Sequence, residues 1–127
     1  MLDLSDLRKS CEDRHIPLIS VQTQDFIINR LERNQPKRVL EIWSAVWYSS
    51  IVISQTISKW WGTLTSFEIS YPAYLEALKN IEKAEINNVV LYPFDINEIS
   101  LEKFFSQKFD AAFIDAQKSQ YWDYLQK

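Results

Sequence analysis

One glycine, Gly62, serves all 127 residues. Average usage is about 7%, so most of the expected glycines are missing. Tight turns and ligand loops draw on glycine more than on any other residue. Tryptophan is the counterweight, with 5 copies. Cysteine is equally scarce. Cys11 stands alone, which excludes an internal disulfide and fits a reducing cytoplasm. With no His–acid pattern beside it, Cys11 reads as a buried helix residue rather than a nucleophile. No apolar run is long enough to span a bilayer, and "MLDLSDLRKS" lacks the apolar core of a signal peptide. A basic excess is absent too. Formal net charge is −3, with Lys and Arg spread along the chain. That argues against a duplex-binding module, which needs a concentrated positive face.

What is present suits one globular domain or part of one. The hydrophobic share is 46%, ordinary for a packed core. "LDLSDLRKSCEDRH" has apolar residues at 2, 4, 7 and 11 and predicts a short amphipathic helix. Pro17 breaks it. "TQDFIINRLERN" predicts a second helix with Phe26, Ile27, Ile28 and Leu31 on one side. Pro36 ends that, and "KRVLEI" reads as a buried strand.

From there the pattern alternates. "SSIVISQTIS" is β-branched, but its place between two strands makes it a helix. "TLTSFEI" is the second strand. "YPAYLEALKNIEKAEI" is a helix with Pro72 in its first turn and Tyr74, Leu75, Leu78 and Ile81 as its buried stripe. "NNVVLYPFD" is the third strand, "EISLEKFFSQ" a short helix, and "KFDAAFIDA" the fourth strand. "QKSQYWDYLQK" begins another helix. Crossovers of this length make right-handed βαβ units, hence a doubly wound parallel sheet. Residues 1–35 form N-terminal helices, and 36–127 the βα units of a single partial domain.

In such sheets ligands bind outside the carboxyl ends of the strands, where strand order reverses. Glu41, Glu68 and Asp115 end three strands, and Asp95 follows the third. Four acids along one rim point to ligand binding. The turn after the first strand should be built of small residues, so that a ligand can reach main chain and the next helix's amides. Glu68, on the second strand, suits a ribose diol, because a carboxylate accepts from two hydroxyls. The arrangement fits a dinucleotide or S-adenosylmethionine (SAM).

The segment "KRVLEIWSAVWYSS" resembles the first motif of class I SAM-dependent methyltransferases, in particular the cation-dependent catechol and caffeoyl-coenzyme A O-methyltransferases. Their pattern is V-L-E-I-G-x-x-x-G-Y-S, and only the two glycines differ, each replaced by Trp. "IPLIS", "TSFEIS" and "LYPFDI" resemble further family segments. "FDAAFIDAQKSQY" matches the most family-specific stretch, F-[IV]-D-A-x-K-x-x-Y. The similarity runs over residues 16–127.

The resemblance implies a Rossmann-like fold cut after its fourth strand, and methyl transfer from SAM to a hydroxyl of a small catechol-like aromatic. Glu41, Trp43, Ser44, Trp47 and Ser49 would border the methionine part of SAM. Glu68 would hold the ribose, and Phe94 and Asp95 would border adenine, with Phe94 at a site where the family has glycine. Asp115 would bind a divalent cation of the Mg²⁺ type, and Lys118 would be the general base or would stabilise the substrate oxyanion. The alternative for this last pair is a helix N-cap with a surface lysine. A small-molecule acceptor and a homodimer are the partners implied. Some similar bacterial proteins act on hydroxylated uridines of transfer RNA.

Three expectations follow from departures. An indole at 43 or 47 would fill the methionine pocket or push the loop outward. Some bacterial lineages read UGA as glycine where another table reads tryptophan, so Trp43 and Trp47 are expected to be recoded glycines, and the "KWWGT" run fits the same idea. The family's seven strands and its Asp-Asn metal pair are not all here. The chain as written is therefore expected to be a fragment, inactive by itself, with its fourth strand an open edge. A nicotinamide-dependent dehydrogenase and a non-catalytic interaction domain are the rival readings. D-A-x-K-x-x-Y speaks against the first.

Overall fold

The computed structural model describes residues 4–15, 18–42, 47–68, 70–93, 109–115 and 120–123, of which 114, 115 and 120–123 as backbone only. Along the chain these form α1 (Leu4–Asp13), α2 (Val21–Asn34), β1 (Arg38–Ile42), α3 (Trp47–Ser58), β2 (Thr63–Phe67), α4 (Tyr71–Lys83), β3 (Val89–Tyr92), β4 (Ala111–Asp115) and β5 (Gln120–Asp123). The helix expected over "EISLEKFFSQ" lies outside the described residues. Strand order is β3-β2-β1-β4-β5. β1, β2, β3 and β4 run parallel, as the alternation predicts, and β5 pairs antiparallel with β4.

Alternation of side chains divides the sheet into two faces. Val39, Leu64, Leu91 and Phe113 enter a large core with α1, α2, α3 and α4. Leu40, Phe67, Ala112 and Phe109 form a smaller cluster on the opposite face. Central strands buried on both faces read as continuous apolar runs, as "RVLEI" does. Helix α3 is covered on nearly every side, with ten of its twelve residues buried. Its β-branched residues tolerate the helix because it lies between α2, α4 and the sheet, where packing outweighs propensity.

Caps place the helix ends. Ser20 accepts from Thr23 N at 3.0 Å to open α2. Ser70 opens α4, with Pro72 in the first turn as its sequence predicts. α3 closes on a paired arrangement: Gly62 N donates to Ile57 O at 2.8 Å and Trp61 N to Ser58 O at 3.2 Å. Trp60 pins the same corner, its indole N–H donating to Pro36 O at 2.8 Å. Asn88 then ties the corner to β3 by donating to Ser54 O and Gly62 O.

The structure corrects the sequence reading at three places. The segment expected to begin a helix holds β5 at Gln120–Asp123. Tyr121 and Trp122 favour the pleated surface, and β4 offers them an edge to pair with, so that edge is not open. On α4, Ala77 and Ile81 are buried, but Leu75 is 48% exposed and Leu78 is 38% exposed. The helix lies on the α3 layer by a narrower seam than the apolar count suggests. On α2, Ile27 and Leu31 are buried while Phe26 is 49% exposed, carrying the Arg30 guanidinium over its ring at 5.8 Å.

Gly62 is placed by space rather than by a left-handed backbone. A Cβ there would lie 2.8 Å from Ile57 Cβ and 3.0 Å from Ile57 O. Gly62→Ala is therefore expected to destabilise the fold by about 1–3 kcal/mol, read from the denaturant midpoint. An unchanged midpoint would contradict this packing.

Candidate functional site

Strand order reverses between β1 and β4, because the chain builds β2 and β3 on one side of β1 and then returns to its other side. The crevice of an open α/β sheet lies at this reversal. Register brings the acids to it. Ile42 pairs with Phe67 on one side and Ile114 on the other. Glu68 follows Phe67 and Asp115 follows Ile114, so both acids fall in the row just past Ile42. Parallel strands lie about 4.8 Å apart, which sets the two backbones about 10 Å apart across the end of β1. These two acids share one rim, as their sequence positions imply. Asp115 closes β4 and pairs with Gln120, so it is a strand residue rather than a helix N-cap.

Glu68 is 4% exposed, and its Oε1 accepts from Ser70 N at 2.9 Å. Its own N–H donates to Tyr92 O at 2.9 Å, which anchors the strand tip to β3. Phe67 and Tyr92 stack beside it with ring centroids 5.4 Å apart.

Glu41 sits deeper than a rim residue. It is fully buried, and three serine hydroxyls donate to it. Ser49 Oγ reaches Oε2 at 2.6 Å, Ser50 Oγ reaches Oε1 at 2.5 Å, and Ser66 Oγ reaches Oε1 at 3.1 Å. β1, β2 and the first turn of α3 thus meet at one carboxylate. Ser49, expected beside the cofactor, is itself buried and engaged in this cluster. Ser50 and Ser66 were not foreseen. The signal for Ser66 is its register opposite Glu41, which sequence does not print.

Trp47 opens α3 with its indole in the core, 5% exposed, and its φ is not positive, since the left-handed non-glycine residues are His15, Gln35, Trp61 and Glu85. The segment 43–46, which an indole was expected to displace, lies outside the described residues. Trp43, Ser44, Phe94, Asp95 and Lys118 lie outside the described residues.

A second cluster ties the N-terminal helices to the same turn. Tyr48 is fully buried, and its hydroxyl donates to Gln24 Oε1 at 2.7 Å. Arg8 donates to that oxygen at 2.8 Å and to Ile19 O at 2.7 Å, with its guanidinium 5.3 Å from the Tyr48 ring centroid. Burial pushes the Tyr48 phenol above its ordinary value, against the lowering effect of Arg8. Burial also raises the Cys11 thiol, a buried helix residue as its sequence context implies. Among the described residues, no group of three His, Cys, Asp or Glu is arranged to hold a metal ion, and no helix is long and apolar enough to cross a membrane.

A parallel sheet with a strand-order reversal, a helix starting beside it and acids along its rim defines a doubly wound α/β protein. The particular family is shown by comparison: the O-methyltransferase family model matches residues 3–127, and the chain belongs to that family. A protein assigned as a caffeoyl-CoA O-methyltransferase from Staphylococcus aureus superposes with a TM-score of 0.77 at 26% identity, covering 94% of this chain and 56% of that one. An O-methyltransferase from Bacillus cereus, in complex with S-adenosylhomocysteine (SAH), gives 0.70 at 26% identity, covering 93% and 56%. A SAH-bound methyltransferase from Podospora anserina shares the fold, at 0.78 with 20% identity, covering 93% and 52%. The chain thus spans about half the length of the solved structures it matches.

Two outcomes test the site's packing. Ser50→Ala removes a hydroxyl bonded to a buried carboxylate and is expected to cost about 1.5–3 kcal/mol in unfolding free energy; a loss under a few tenths would contradict the geometry. Because the Cys11 and Tyr48 acids are raised in the folded state, the unfolded chain releases these protons first. Their contribution is complete below the unfolded values, about 8.5 and 10, and is lost as pH rises past them. Tyr48→Phe should flatten the alkaline decline above about pH 10, followed by urea unfolding at stepped pH. An equally steep decline in the variant would refute the assignment.

Proposed function

We propose that this chain is the cofactor-binding part of a SAM-dependent O-methyltransferase. The observation that carries the reading is the placement of Glu68 and Asp115 in one row past Ile42, at the strand-order reversal and beside the 43–46 loop. The residues at this reversal suit SAM. Glu68 has one oxygen held by Ser70 N, which fixes a carboxylate at the strand tip to receive the ribose hydroxyls. The first turn of α3, tethered through Ser49 and Ser50, directs helix amides toward the loop where the methionine carboxylate would lie. Phe94 and Asp95 would flank adenine.

When bound, SAM supplies an electrophilic methyl group. That methyl group would pass to the acceptor's oxygen, with the bonding pair left on the departing sulfur of SAH. Lys118, three residues beyond Asp115 in the family pattern, would take the hydroxyl proton. A hydroxyl is a poor nucleophile until that proton goes, and the remaining work is positioning. A divalent cation would lower the hydroxyl's pKa, with Asp115 as one oxygen ligand. The described residues contribute no second ligand. The acceptor we favour is a small hydroxylated aromatic. A hydroxyuridine in transfer RNA is less favoured, given the net charge of −3 without a basic cluster. A homodimer is the assembly proposed.

One observation favours a second reading, a non-catalytic interaction domain. Trp47 fits the core without strain, so the fold keeps its shape with an indole where the family has glycine. Titration calorimetry separates the two. The Trp43→Gly, Trp47→Gly double variant should bind SAM and not NAD, and adding Glu68→Ala should weaken SAM binding by about 10- to 100-fold. No heat with SAM from the double variant would favour the interaction domain, and NAD binding would favour the dehydrogenase.

A further inference from the structure

We propose that position 61 carries glycine in the protein made by its own cell, through a UGA codon read as glycine, while position 60 carries a true tryptophan. The two neighbours occupy opposite environments. Trp60 packs against the core and donates its indole N–H to Pro36 O at 2.8 Å. Trp61 is 86% exposed and has a φ of 65°.

Hydrogen bonding explains that φ. Gly62 N bonds Ile57 O and Trp61 N bonds Ser58 O. This is the paired closure that leaves the residue before the last donor in the left-handed conformation, usually as glycine. A Cβ there crowds the neighbouring carbonyl oxygen. Gly62 cannot take over the role, because it is needed one step later, where a Cβ would strike Ile57.

The chain closes other helices with left-handed polar residues: His15, Gln35 and Glu85. Non-glycine closure is thus a habit of this chain. Trp61 differs from those three in bulk, and for bulky side chains the conformation is an outlier. Its indole also gains no burial in return.

The same decoding would place glycine at 43 and 47. That extension rests on the methyltransferase reading, since the family pattern alone marks those sites and the helical backbone at Trp47 makes no demand for glycine. The claim for position 61 stands without it.

The gene tests both parts. UGA at 61 with UGG at 60 is expected. UGG at 61 overturns the proposal, and so does UGA at 60. UGA at 61 with UGG at 43 and 47 keeps the helix closure and removes the extension. Because UGA is tryptophan in another table, the peptide from the native host must show tryptophan followed by two glycines by tandem mass spectrometry. Two tryptophans there overturn the proposal. In the chain as written, Trp61→Gly should lower the unfolding equilibrium constant about tenfold, Trp61→Ala should recover little of that gain, and Trp60→Gly should raise the constant. A constant unchanged or raised by Trp61→Gly contradicts the assignment.

Discussion

The fold turns on one buried carboxylate. A carboxyl group removed from water is costly unless hydrogen bonds replace its hydration. Glu41 meets that demand with three hydroxyls from two other elements: Ser49 and Ser50 on α3, and Ser66 on β2. Each donor must stand in one place for the others to be satisfied. The carboxylate therefore fixes the start of α3 against β1 and β2. The end of β1 and the start of α3, on either side of residues 43–46, are both set by this cluster. A cofactor turn needs such fixed ends, because its contacts are made by main chain whose direction side chains cannot correct.

The same first turn is held from the other side. Tyr48 is clamped by Gln24 and Arg8, which connects the two N-terminal helices to the residue following Trp47. Along the sheet, the row Phe67, Ile42 and Ile114 aligns the strand tips. Glu68 and Asp115 follow from that alignment, with no need for contact between them. The placement of the flanking acids at the strand-order reversal thus follows from the register, and the buried cluster tethers the helix start beside it.

Much of this was legible in the sequence. Alternating strand and helix patterns implied the parallel sheet, and the acids Glu68 and Asp115 near strand ends implied the rim. Where tertiary context overrides local pattern, reading failed. Tyr121 and Trp122 sit in a stretch with helical spacing, yet the unpaired edge of β4 turns them into a strand. Leu75 and Leu78 match a buried stripe, but α4 meets its neighbours along Ala77 and Ile81. The depth of Glu41 was invisible, because a strand-end acid looks alike whether it faces ligand or protein. Ser66 became meaningful through cross-strand register, and Trp61 through a backbone angle that no pattern of apolar residues encodes. The family itself was legible from "VLEI", "FDAAFIDA" and their spacing.

The most direct test is a crystal structure of the protein, with glycine at 43, 47 and 61, soaked with SAH. The account predicts the ribose hydroxyls on the Glu68 carboxylate, the amino-acid end against main chain 43–48, and Glu41 still bonded to Ser49, Ser50 and Ser66. SAH seated away from the β1–β4 reversal, or a ribose untouched by Glu68, would contradict it.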